Sequence, residues 1–469
     1  MCAAMQRSPG SSQPVTSDEH ERPARRVVIT GLGIVAPNGI GKDPFWQACL
    51  AGRSGLRHIT RFDASPLTSQ IAGEVTHFDP ERYDLTRDEV TQLDRASQLA
   101  LAAAHLAQSD AANGDPSNAT SFSLSLTDEQ RERSGVIIGQ ALSCLEAGER
   151  QWATLTMPED AGNEPQDQQD YQSYTEIQER YLLPEAQLFS HAAASSIAAH
   201  YQFYGPCSTV ATGCSAGADA IGQAFWQIQT GRADRMLAGG ADSSISYGVM
   251  DAFCVMGALS SQYNAEPTRA SRPYDGARDG FVMAEGAGVV LLEAREQALA
   301  RGAHIYAEII AFASNSNAHH MTALPPDGQP LRDLLCQVIA EAGLQPEAID
   351  YINAHGSSTR PNEIAETMAY KTVFGEQAYH IPINATKSLI GHTQGAASAI
   401  ETIVSALVLH EQMIPPTINQ EQPDPICDLD YVPNSARAAH VQIALTHSSG
   451  FGGVNSALVL AQANREVNA

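Results

Sequence analysis

The sequence predicts an α/β protein built on parallel or mixed sheets with helices on both faces. Three observations carry this. Apolar runs of strand length recur along the chain, each followed by a Gly-rich turn or a helical pattern. Amphipathic helical stretches separate many of them. Five runs fall in each half, which points to a duplicated unit, although no residue-level repeat is visible.

In the first half the runs are Val27–Thr30, Val136–Gly139, Ser208–Thr212, Met236–Gly239 and Gly288–Leu292. In the second they are Tyr306–Phe312, Tyr351–Asn353, Ile381–Ala385, Gln442–Thr446 and Ala457–Leu460. Asp94–Leu106 and Ala399–Leu409 carry apolar residues at helical spacing. Two stretches break the alternation and read as surface excursions: the polar Ser109–Arg133 and the acidic, Gln-rich Met157–Glu179. Met1–Arg25, rich in Ser, Pro and charge, reads as a disordered tail without the apolar segment of a secretion signal. The expected organisation is this tail, a first half over 26–294 and a second over 295–469.

The chain has 469 residues and a formal charge of −25, from 28 Lys+Arg against 53 Asp+Glu. That balance disfavours nucleic acid and anionic membranes, which need a positive footprint. No run of 18 apolar residues occurs, so no membrane-spanning helix is expected. The eight cysteines form no C-x-x-C pair, which speaks against a zinc site of that type. Scattered thiols suit a reducing, cytoplasmic location, where a cysteine's ordinary role is that of a small buried hydrophobe.

Gly31-Leu32-Gly33 after the first run is half of a dinucleotide fingerprint. Ala36 and Pro37 stand where the third glycine and the receiving helix would follow, so a dinucleotide site is rejected.

Four motifs carry candidate chemistry. Ser208 to Asp219 reads as a β-branched strand, a tight turn at Gly213, then Cys214 at the start of a helix whose apolar positions are Ile221, Phe225 and Ile228. Free N–H groups and the positive helix end there predict a thiolate of lowered pKa. In Asn353-Ala354-His355-Gly356-Ser357-Ser358-Thr359 a strand ends at a histidine followed by hydroxyls, the place where α/β sites lie. Lys387-Ser388-Leu389-Ile390-Gly391-His392 puts a second histidine just ahead of an Ala-rich helix. Ser448-Ser449-Gly450-Phe451-Gly452-Gly453 is either a turn between strands or a gate that also offers N–H donors to an oxyanion. One cysteine with two histidines is a coherent set: the thiolate accepts an acyl group, and two imidazole donors polarise a thioester carbonyl and stabilise an enolate. The adjacent His319 and His320 cannot easily face one metal ion, and no metal is expected.

These residues resemble the elongating β-ketoacyl-ACP synthases. The resemblance rests on Thr212-Gly213-Cys214-Ser215-Ala216-Gly217, Ala354-His355-Gly356-Ser357-Ser358-Thr359, Lys387 to His392, Arg272-Pro273-Tyr274-Asp275, Asp279 to Gly286 and the Gly450-Phe451-Gly452-Gly453 loop, and it spans about Arg26 to Ala461. It implies the thiolase fold, with two similar halves, each a five-stranded mixed sheet, in a five-layer αβαβα stack, and a dimer. Ile305 to Ile309, Asn317 to Thr322, Asp424 to Pro433 and Ser449 to Gly453 resemble in particular the ketosynthase-alpha subunit of type II polyketide synthases. That subunit pairs with a chain-length factor lacking the cysteine.

The resemblance implies a role for each residue. Cys214 holds the acyl chain. His355 and His392 donate to the malonyl thioester and promote decarboxylation. Lys387 supports His392, and Glu401 fixes this cluster. Ser357 and Thr359 contact the phosphopantetheine arm. Phe451 gates the cysteine, and the N–H groups of Cys214 and Phe451 form the oxyanion hole. The substrates ride on an acyl carrier protein, and no cofactor is needed. Glu363 stands where the family usually has Asp, which predicts a rearranged link near Lys387. Ser398 replaces a usual Gly and Ser357 a common Thr. Ser449, in place of a Phe of the fatty-acid branch, favours the polyketide branch. Thr86–Asp94 is poor in base where fatty-acid synthases meet their acidic carrier, so a partner subunit or Arg95 and its neighbours are expected to supply the positive patch. The alternatives are a fatty-acid β-ketoacyl synthase working as a homodimer, and a non-catalytic chain-length factor, which the intact Cys214–His355–His392 set opposes. A degradative thiolase would need another cysteine after Cys427.

Overall fold

The computed structural model describes residues 24–112, 125–142, 144–156 and 189–463. All ten expected runs are strands. In the first half these are β1 (Val27–Ala36), β2 (Ser134–Gly139), β3 (Cys207–Val210), β4 (Arg235–Asp242) and β5 (Gly286–Ala294). In the second they are β6 (Ala307–Ser316), β7 (Tyr351–Asn353), β8 (Ile383–Asn384), β9 (Ile443–Ser449) and β10 (Val454–Gln462).

The duplication that residue identities hide is plain in the pairing. The first half is ordered β1-β5-β4-β2-β3 and the second β6-β10-β9-β7-β8. In each half the strand triplet β3-β2-β4, or β8-β7-β9, is parallel, and the remaining two strands join antiparallel. The two sheets meet at one seam, where Val27, Val28 and Ile29 pair with Ile309, Glu308 and Ala307.

Seven helices matter for the site: α1 (Arg95–Ala111), α2 (Ala192–Tyr201), α3 (Ala216–Gln229), α4 (Tyr247–Val255), α5 (Gln329–Glu341), α6 (Arg360–Phe374) and α7 (Ala397–Glu411). α1 and α2 cover the first sheet, and α5 packs on the second with α6 beside it. α3 and α7 lie between the sheets and touch both, which completes the five layers. Their close contact depends on Gly217, where a Cβ would sit 2.7 Å from the backbone nitrogen of Ala399. Ser398 strengthens it, because its Oγ accepts the N–H of Ala218 at 2.9 Å and so satisfies an orphan donor of the α3 N-terminus. Nearly all of α7 is buried, as an all-round apolar helix between two layers must be.

The glycines of Gly31-Leu32-Gly33 serve packing. A Cβ on Gly33 would lie 1.8 Å from the Ala103 carbonyl oxygen, so α1 can press on β1 only because both positions are bare. The polar stretch 109–133 is not loop throughout. α1 continues to Ala111 with Ser109 buried, and Asp128–Glu132 forms a short helix with a Thr127–Gln130 capping box. The tail 1–23, the whole of the 157–179 stretch and residues 113–124 lie outside the described residues. Among the described residues, no helix is long and apolar enough to cross a membrane.

Candidate active site

The functional side chains gather where the parallel strands of both sheets end, at the carboxyl edges where α/β sites form. Cys214 follows β3, His355 follows β7, Lys387 and His392 follow β8, and Ser448 closes β9. A cavity of about 630 Å³ is lined by Cys214, His355, His392, Ser357, Thr359 and Phe451 among others. That volume is in the range of small-molecule sites.

Cys214 lies in a single 3₁₀ turn, Gly213–Ser215, that runs into α3. Gly213 takes φ +62, a left-handed turn that glycine allows at little cost. The elbow is locked from several sides. Asp219 accepts hydrogen bonds from Thr212 and Ser456, Ser215 Oγ reaches the carbonyl oxygens of Ser448 and Val454, and Ser448 Oγ donates to the Cys214 carbonyl at 3.0 Å. The expected lowered thiol pKa is not found. Cys214 is only 6% exposed, and burial pushes its thiol up to about 11. The Lys387 charge and the Phe451 N–H pull it down, but by less than desolvation raises it.

Both histidines are buried, and desolvation together with the nearby Lys387 charge holds them well below the usual imidazole range, so they are neutral at pH 7. Their partners assign the tautomers. The Gln394 N–H donates to His392 Nδ1 at 3.1 Å. Lys387 Nζ lies 3.2 Å from His355 Nδ1, and an ammonium can only donate. The hydroxyl proton of Ser448, 3.1 Å from the same Nδ1, is directed to the Cys214 carbonyl. Each ring therefore carries its proton on Nε2, the edge left free. The rings stand 5.4 Å apart at 78°.

Lys387 is fully buried and completes its bonding with the His355 carbonyl at 2.7 Å and Glu401 at 2.5 Å. Burial raises the Glu401 carboxyl to about 7 against the pull of Lys387. Removing one partner of such a pair costs about 3–5 kcal/mol, because the other charge stays buried alone. Glu363 does not join this cluster. It pairs with fully buried Arg278 at 3.0 Å and accepts the Ser358 N–H at 2.7 Å, so it braces the loop that carries Ser357 and Thr359. The Ser357 and Thr359 hydroxyls bond each other at 2.9 Å. Arg95, expected as a docking cation, is committed instead to Glu285 at 2.7 Å and the Val75 carbonyl.

Phe451 is 41% exposed and stacks on Phe253 of α4 at 6.3 Å. Its backbone N–H draws the Cys214 thiol down, against the rise that burial causes. Gly450 keeps the adjoining space open, since a Cβ there would come within 3.1 Å of the Cys214 backbone nitrogen.

Three contributors escaped the sequence reading. Asp242, at the end of β4, accepts N–H bonds from Ala141, Leu142 and Gly395, and burial raises it to about 7. An acid closing an apolar strand run was the available signal. Gln394 places its amide oxygen 3.9 Å from the Cys214 sulfur, and Ser448 joins the Cys214 and His355 loops. Nothing in the local pattern marked either.

Comparison with known proteins agrees with this geometry. The β-ketoacyl synthase N-terminal domain family matches residues 24–298, and the β-ketoacyl synthase C-terminal domain family matches 306–421. The chain is 40% identical over 446 residues to the tetracenomycin polyketide synthase ketoacyl synthase alpha subunit of Streptomyces glaucescens, covering 93% of this chain and 97% of the relative. It is 38% identical over 434 residues to 3-oxoacyl-[acyl-carrier-protein] synthase 2 of Synechocystis, covering 92% and 97%. A solved type II polyketide synthase acyl-carrier protein in complex with its ketosynthase bound to the hexaketide superposes with TM-score 0.79 at 37% identity, over 94% of this chain and all of that one. With both family domains matched and the duplicated sheets in place, the chain belongs to the β-ketoacyl synthase family, whose members are condensing acyltransferases.

Proposed function

We propose that this chain is the catalytic ketosynthase subunit of a type II polyketide synthase. One observation carries the reading: two neutral imidazoles, each with a free Nε2–H, line the same cavity as a buried cysteine.

In this mechanism the Cys214 sulfur attacks an acyl-carrier thioester. The new S–C bond replaces the carrier's, and the carrier thiol leaves with the proton that the cysteine gives up. A malonyl thioester then enters. His355 and His392 donate to its carbonyl oxygen, the C–CO₂ bond breaks, and the electron pair becomes an enolate held by the same donors. The enolate carbon attacks the acyl–Cys214 carbonyl. The N–H groups of Cys214 and Phe451 hold the tetrahedral oxyanion, which collapses to the β-ketoacyl product and the Cys214 thiolate, and the thiolate takes up one proton from solvent. Ser357 and Thr359 bind the pantetheine arm, and Phe451 at the mouth gates access. Lys387, held by Glu401, fixes the His355 tautomer, while Glu363 holds the pantetheine loop. No cofactor or metal is required.

The partners proposed are an acyl carrier protein and a second, homologous subunit. The similarity to a chain named an alpha subunit supports the second partner, as does the open edge of the first sheet, where Cys207 and Ser208 of β3 are exposed.

Incubation with an acyl-carrier thioester tests the reading by mass spectrometry. The expected result is one acyl group on Cys214 and none in Cys214→Ala, with malonyl-carrier consumption yielding CO₂. Undiminished product formation by Cys214→Ala would remove the proposal.

A further inference from the structure

A chain of net charge −25 repels an anionic partner over most of its surface. At the cavity one cation stands apart from the carboxylates. Apart from histidines, the charged side chains lining the cavity are Arg278, Asp279 and Arg360. Arg278 is buried and neutralised by Glu363 and Asp424. The Asp279 oxygens accept from Ser260 Oγ and the N–H groups of Ser261 and Gln262. Arg360 is different. It is exposed, and no carboxylate among the described residues lies within ion-pair distance of it. Among the described residues its guanidinium hydrogen-bonds the Gly276 carbonyl oxygen alone, at 3.5 Å.

The backbone beneath Arg360 is fixed. Arg278 donates to the carbonyl oxygens of Thr359 at 3.4 Å and Arg360 at 3.3 Å. From His355 onward the chain climbs out of the cavity: His355 and Ser357 are buried, Thr359 is half-buried and Arg360 is exposed. The chemistry changes along that climb from imidazole to hydroxyl to cation. A phosphopantetheine arm has the complementary order, with its thioester innermost, amides next and a phosphate anion outermost.

We infer that Arg360 is a phosphate-binding residue at the cavity mouth, and that it holds the phosphate of the carrier's arm while the thioester reaches Cys214. The inference rests on the carrier-dependent reading above and assigns the residue that senses the arm's charged end. A guanidinium fork suits two phosphate oxygens, which a single ammonium would meet only as a point charge.

The test needs no turnover. The S-methyl thioethers of phosphopantetheine and pantetheine, which carry no thiol to consume the reagent, are compared as protectors of Cys214 against iodoacetamide. In the natural chain, half-protection is expected at roughly tenfold lower concentration of the phosphorylated compound, a difference within reach of one charge-assisted contact. In Arg360→Gln that ratio should fall to about one, and in Arg360→Lys it should lie between. The ratio is internal to each protein, so a loss of folded material does not move it. A ratio near one in the natural chain overturns the inference, and so does an unchanged ratio in Arg360→Gln. Failure of the condensing reading alone shows itself separately, as absent acyl loading with the protection ratio intact.

Discussion

In the first half of the molecule, β3 ends at Val210 and reaches α3 through the short turn 211–215. In the second, β8 ends at Asn384 and reaches α7 through the longer segment 385–396. The two connections occupy equivalent places in two sheets of the same topology. The short one holds the thiol of Cys214. The long one holds Lys387 and His392, and the neighbouring loop after β7 adds His355. The acids below them differ too. Asp242 of the first half is held by three backbone N–H groups, whereas Glu401 of the second has the Lys387 cation. Duplication thus supplies two matching ledges, the shorter carrying the proposed nucleophile and the longer one of the two proposed donors.

This division of labour can be broken most directly by removing a donor. His355→Ala and His392→Ala should each lower malonyl decarboxylation about 10²–10³-fold, the scale of losing one oxyanion donor. Acyl loading of Cys214, followed by mass, should persist in both. A parallel loss of loading would show that the histidines also serve the nucleophile's half.

A smaller effect tests how the second half acts on the first. Because burial raises the Cys214 thiol to about 11, its alkylation by iodoacetamide should climb about tenfold per pH unit from 7 to 10, roughly a hundredfold between pH 8 and 10. An ordinary exposed thiol would level off near pH 9. Lys387→Ala, which removes the charge that lowers the thiol, should shift the curve to higher pH. A plateau below pH 9 in the natural chain would contradict the burial argument.

The least disruptive change addresses the contact between the Gly450 loop and the Cys214 turn. Gly450→Ala places a methyl 3.1 Å from the Cys214 backbone nitrogen and 3.0 Å from the Thr212 carbonyl. Condensation should slow about tenfold, as expected when one oxyanion contact is weakened rather than removed. Steady-state assays of product formation measure this, and unchanged turnover would free the Gly450 position from that role.

The strands were legible because each is a continuous apolar run with turn residues at its end, and Cys214, His355 and His392 because each stands next to such an end. The shared topology of the halves was not, since it resides in backbone pairing that tolerates different side chains. Local sequence also misjudged the thiol. The turn into α3 was readable, but the burial that outweighs it comes from the packed loops around it. The link of Glu363 near Lys387 was expected to be rearranged, but its partner Arg278, far away in sequence, could be named only once the fold brought the two into contact. Gln394, Ser448 and Asp242 act through backbone N–H groups and loop crossings, which leave no periodic trace.

Cys214 and His392 hang on connections that lead into α3 and α7, and those helices are held at backbone contact by Gly217 and Ala399. Much of the cavity wall comes from elsewhere: Met256 beyond α4, Phe281, and the loop bearing Met321 and Leu324. Lineages can therefore reshape the chamber, altering which growing chain fits, by substitutions that leave the spacing of thiol and imidazoles untouched. The bare contact of two helices acts as a fixed jig, around which the walls of the vessel are free to diversify.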